Sequence, residues 1–85
     1  MKKRFHIAEL SDLSQQIRDI GLYQFESLML LEEAAEELLY PDRFTVKLNH
    51  DAIVVTMTLA AIKMNNGVQE YYYNWEITVP QNILQ

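Results

Sequence analysis

Cysteine is absent from the chain. That removes disulfide frameworks, thiolate zinc sites and cysteine nucleophiles in one step. Glycine and proline are scarce, with two of each among 85 residues. Two glycines cannot build a phosphate loop or a dinucleotide-binding fingerprint. No Gly-x-Ser-x-Gly elbow surrounds Ser11, Ser14 or Ser27, so a serine nucleophile has no setting. No run approaches the roughly 18 apolar residues that a membrane-spanning helix requires. The start, Met-Lys-Lys-Arg, has the charge of a signal-peptide n-region. His6, Glu9, Ser11 and Asp12 then interrupt the apolar stretch that should follow. The expectation is one soluble, cytoplasmic domain over residues 1–85, with no cofactor or metal and no enzymatic activity.

Positive charge is scarce in one half only. The net charge is -5, yet residues 1–7 carry Lys2, Lys3 and Arg4 and no acid. Residues 8–42 carry nine acids against Arg18 alone, and residues 43–85 are neutral. A domain of this balance is a poor candidate for nucleic-acid binding, which draws its affinity from Lys and Arg on phosphates.

What is present is a strong pattern. From Ala52 to Met64 no charge appears before Lys63, and β-branched residues crowd the first half. Such a stretch, with a pairing segment on each side, predicts the centre of a sheet. Phe44, Val46 and Leu48 alternate before it, and Tyr71, Tyr73, Trp75, Ile77 and Val79 alternate after it. A two-residue loop at His50-Asp51 sets Leu48 against Ile53, Val46 against Val55 and Phe44 against Met57. A three-residue loop, Asn65-Asn66-Gly67, sets Ala61 against Tyr71, Leu59 against Tyr73 and Met57 against Trp75. A two-residue Asn66-Gly67 loop sets Thr58 against Trp75 and mixes the faces, so the longer loop is expected.

Two helices precede the strands. Ser11 to Ile20 has an apolar stripe at Leu10, Leu13, Ile17 and Ile20, with Ser11 as the expected N-cap and Gly21 as the stop. Leu22 to Tyr40 ends at Pro41. Leu28, Leu31, Ala34, Ala35, Leu38 and Leu39 form its broad apolar face. Residues 1–8 read equally as a short edge strand and as a basic arm. Ile83 and Leu84 are placed to tack the tail onto the body. The predicted fold is α+β: two N-terminal helices on one face of a three-stranded antiparallel β-meander, with a short N-terminal edge strand left open.

Glu32, Glu33, Glu36 and Glu37 are the most conspicuous charges. Glu32–Glu36 and Glu33–Glu37 are like-charge pairs, each destabilising by roughly 0.2–0.5 kcal/mol, with no lysine on the helix to relieve them. They read either as a solvated face or as a recognition patch for a basic protein surface. Leu22, Phe25 and Met29 form a second stripe rimmed by Glu26, Glu33 and Glu36. It is either covered by the first helix or is a protein-binding or dimer surface. His6 and His50 lack a third ligand and read as structural or surface residues. Tyr71, Tyr73 and Trp75 point to the core, and Tyr72 points outward.

The chain resembles, in a general way, the small acidic motif-free proteins of phages and mobile elements. That resemblance implies a stoichiometric inhibitor of a nucleic-acid-binding host enzyme or defence complex. The expected partner-binding residues are Leu22, Glu26, Phe25, Met29, Glu32, Glu33, Glu36 and Glu37. The alternative is a homodimerising assembly protein without catalytic activity.

Overall fold

The computed structural model describes residues 2–50 and 52–80. The elements run β1 (Lys2–Ile7), α1 (Leu10–Asp19), α2 (Gln24–Glu37), β2 (Arg43–Leu48), β3 (Ile53–Asn65) and β4 (Val68–Thr78). The fold is α+β, but the sheet has four strands in the order β1-β4-β3-β2 and is mixed. This corrects the three-stranded antiparallel meander. Residues 2–7 are a strand, not an arm, and pair in parallel with β4, Phe5 beside Tyr71 and Ile7 beside Tyr73. Two further bonds fasten the end of β1. The Ala8 N–H donates to the Tyr73 carbonyl at 2.9 Å, and Trp75 Nε1 donates to the Ala8 carbonyl at 2.7 Å. Parallel pairing joins the two ends of the chain, and nothing in local periodicity reports it.

β2 and β3 pair as expected, with Phe44 opposite Met57, Val46 opposite Val55 and Leu48 opposite Ile53. The strands stop at Leu48 and resume at Ile53. The expected loop there includes Asp51, which lies outside the described residues, as do Ile83 and Leu84. β3 and β4 combine both registers weighed from the sequence. Val55–Ile77, Met57–Trp75 and Leu59–Tyr73 follow the longer-loop register, and Thr58 faces Asn74. A β-bulge between Leu59 and Ala61 then shifts the pairing, so Ala61 faces Tyr72 and Ile62 faces Tyr71. The expected three-residue loop is therefore a two-residue turn, Asn66-Gly67, with φ of 51° and 80°. Two left-handed residues are what a tight hairpin turn needs. The bulge absorbs the extra residue and keeps the apolar positions on one face. It also turns Ile62 and Met64 to the helix side, beyond the cover of the helices, where both are more than half exposed.

The helices start and stop differently from their periodicity. α1 begins at Leu10, so Ser11 is not its cap. Glu9 caps it in a left-handed conformation, φ 49°, without a side-chain bond. The backbone carbonyl of Glu9 instead accepts from Asp12 and Leu13. Gly21, φ 84°, ends α1 as predicted. Its N–H reaches the Arg18 carbonyl while the Leu22 N–H reaches that of Ile17. This double bond set is the Schellman stop. α2 is shorter than the Leu22–Tyr40 expectation and closes with the same bond set, Leu39 to Glu36 and Tyr40 to Ala35. Here the left-handed residue is Leu39, φ 61°, followed by Tyr40 at 52°. The chain turns before Leu38 and Leu39 can reach the core, which leaves both exposed.

A leucine in that position bears a steric penalty of about 1–2 kcal/mol that glycine avoids. Leu39 is 78% exposed, so its side chain contributes little packing. Leu39→Gly is expected to raise stability by about 1 kcal/mol, read as a higher urea midpoint at unchanged slope. A lower midpoint would mean that the leucine packs in solution.

The core lies between the two layers. Leu13 and Ile17 of α1 and Leu31 and Ala35 of α2 cover Phe44, Val46, Ile53, Val55, Met57 and Tyr73. Tyr73 is fully buried, and its hydroxyl donates to the Pro41 carbonyl at 2.7 Å. No described helix is long and apolar enough to cross a membrane.

Candidate partner-binding surface

α2 places Glu26, Glu32, Glu33, Glu36 and Glu37 in solvent. Glu36 and Glu37 stand in the last turn, where the macrodipole favours a cation, and no base accompanies them. The helix thus carries like-charge pairs and a misplaced terminal charge together. Burial, then Glu36 and Glu32, push the Tyr40 hydroxyl above its ordinary value.

The Leu22–Phe25–Met29 stripe is split. Leu22 precedes α2 and packs partly buried against the core. Phe25 is 75% exposed and Met29 43% exposed. α1 does not cover them, because its buried side, Leu13, Ser14 and Ile17, is spent on the core. Leu30, which sequence reasoning passed over, is 45% exposed beside Met29, and the two sit in a shallow depression with Glu26 and Glu33. On the other flank of α2, Phe25, Leu28, Met29 and Glu32 face Phe5, His6, Ile7 and Leu10 across a groove of about 350 Å³. That groove depends on where β1 lies, which no local sequence pattern reports.

The outer face of the sheet has the opposite charge. The registers place Lys2, Arg4, Arg43, Lys47 and Lys63 there, with Glu70 and Glu76. The signal was the register itself, since Lys47, Arg43 and Lys63 fall on positions that face away from the helices. At one corner His6 stacks on Tyr72 at 4.5 Å, and Lys63 Nζ lies 5.0 Å above the same ring. His6 Nε2 donates to Glu70 Oε2 at 2.5 Å. Bonding from Asn65, then from His6, holds the Glu70 carboxyl below the usual range against the opposing effect of burial. Flanked from β1 and from β3, Tyr72 is a poor platform for a stacking base. His6 is thus held in a cross-strand cluster, whereas His50 lies exposed in the β2–β3 connection. Among the described residues no three His, Cys, Asp or Glu side chains are grouped to hold a metal ion.

The chain matches no family model, no curated protein and no solved structure.

Proposed function

We propose that this protein acts by binding rather than by catalysis, as an acidic module that covers a basic surface on a larger protein. The observation that carries the reading is the apolar patch of Met29 and Leu30, exposed between Glu26 and Glu33 on a helix with five solvent-facing glutamates. An apolar anchor within a charged rim is the anatomy of a protein-binding site. Helix stability alone argues against the charges at Glu32, Glu33, Glu36 and Glu37, which repel one another and oppose the dipole. A role in recognition accounts for them. A basic surface of this kind belongs typically to a nucleic-acid-binding enzyme or complex, which the module would block stoichiometrically by occupying the phosphate path.

The test uses affinity capture at low and high salt, followed by association kinetics with the captured partner. Glu33→Gln with Glu37→Gln relieves repulsion and is expected to hold or raise stability. The same pair of changes is expected to slow association at low salt, with the difference shrinking as salt is added. Unchanged association at low salt removes the acidic face from the interface.

A further inference from the structure

We infer that the free edge of β1 is a dimerisation edge, and that its occupant is β1 of a second copy running antiparallel. The inference stands apart from the identity of any larger partner.

The argument begins with backbone accounting. β1 pairs only with β4, so one side of its backbone has no partner among the described residues. The Ala8 N–H points to β4, where it meets the Tyr73 carbonyl. Backbone groups alternate sides along a strand, so His6, Arg4 and Lys2 also turn to β4. Lys3, Phe5 and Ile7 therefore present their N–H and C=O groups at the free edge. A second β1 centred on Phe5 sets Lys3 opposite Ile7 and Phe5 opposite its own copy. All three outward positions then meet outward positions, and every pair exchanges both bonds. Centring the pair on Arg4 or His6 uses only two of the three.

Charge selects the same arrangement. Lys2, Lys3 and Arg4 stand at the start of β1, and Glu9 lies just past its end. Parallel addition would stack like charges row on row, and basic residues on an edge guard against that. Antiparallel addition lays the basic start of each copy along the acidic end of the other. Lys3 and Ile7 share the helix-side face, because Gln69 and Tyr73 are their neighbours in β4. Lys3 of one copy thus stands opposite Ile7 of the other on the groove side of the sheet, its Nζ over its own Tyr40 and Tyr71 rings at 5.8 and 5.9 Å. The two Phe5 side chains meet at the axis, each beside its own Phe25 and Met29. Such a contact is isologous and closes on itself, giving one continuous sheet across both copies.

The experiment measures molecular mass by sedimentation equilibrium and amide exchange by NMR, on the full chain from dilute to concentrated solution. A monomer–dimer equilibrium is expected. The Lys3, Phe5 and Ile7 amides are expected to gain protection with concentration, reaching about 15-fold where the total chain stands at about 100 times its dissociation constant, because about 7% of it is then still monomer. The Arg4 and His6 amides should be protected throughout. Lys3→Pro removes an outward donor without touching a β1–β4 bond. It is expected to raise the dissociation constant at least about tenfold, since the bond is lost twice by symmetry, while the dilute chain stays folded and loses only the Lys3 contact with the Tyr40 and Tyr71 rings. Phe25→Glu should likewise leave a folded monomer. A chain that stays monomeric at every concentration overturns the inference. So does a dimer that survives Lys3→Pro undiminished, or a parent dimer whose three edge amides still exchange freely.

Discussion

Met57→Asp is expected to leave the chain unfolded at neutral pH. Met57 is fully buried in the central strand, with Phe44 opposite on one side and Trp75 on the other. Removing a buried methionine side chain costs about 2–5 kcal/mol through lost transfer and the cavity left behind. The aspartate adds a charge with no basic side chain near it, since Arg43, Lys47 and Lys63 of the strands around it face the other way. A domain of this size holds roughly 4–13 kcal/mol in total. Two controls separate chemistry from position. Met57→Leu conserves volume and should cost less than about 1.5 kcal/mol. Thr58→Asp, one residue along and exposed on the outer face, should fall within about 1 kcal/mol of the parent. Circular dichroism melts decide the matter. A cooperative Met57→Asp melt at the parent temperature would place Met57 outside the core.

That position was legible because the period-two signal is strong wherever one face is buried. Ile53, Val55 and Met57 alternate with residues that water tolerates, and a register that honours this is nearly unique. The bulge at Ala60 escaped because alanine suits either face, so the slip it permits leaves no mark on the pattern. The helices were legible as stripes, but their ends depended on backbone geometry. Glu9 and Leu39 adopt left-handed conformations that their residue types do not advertise. β1 was half legible. Alternation of Phe5 and Ile7 with Arg4 and His6 suggested a strand, while its partner lay more than sixty residues away. The groove and the His6–Glu70 pair follow from that one pairing, which also adds Lys2 and Arg4 to an outer face already basic through Arg43, Lys47 and Lys63. The candidate site was legible in its charges, which helical spacing displays directly. Which of Leu22, Phe25 and Met29 remain exposed depended on where α2 begins.

The charge asymmetry of the sequence becomes a geometric one in the fold. Seven of the twelve acids lie on the two helices, and five of the seven Lys and Arg side chains belong to the opposite face of the sheet. A net charge of -5 therefore understates how acidic the helical side is and hides that the other side is basic. Partners are steered by local potential rather than by the total, so the two faces should recruit oppositely charged surfaces.

The alkaline limb of stability should be dominated by Tyr73. Its ring lies between Phe5 and Phe44, with centroids 5.4 Å from each. Burial first, then Tyr40, Tyr71 and Asp42, push its hydroxyl up to about 12. The folded state thus favours the neutral phenol more than the unfolded chain does, where the value is about 10. Stability from this group is complete below about pH 10 and is lost as pH rises toward about 12. Two units correspond to roughly 3 kcal/mol, and Tyr40 and Tyr72, both raised, act in the same direction. Tyr73→Phe keeps the ring and removes the hydroxyl, which strands the Pro41 carbonyl. At neutral pH that variant should be less stable by about 1 kcal/mol. Above pH 10 it lacks the group that must ionise, so its stability should fall more gently than the parent's. The two curves of urea midpoint against pH should therefore converge and cross between about pH 10 and 12. Curves that stay parallel through that interval would show that Tyr73 ionises as readily in the fold as in the unfolded chain, and that burial is not what holds its proton.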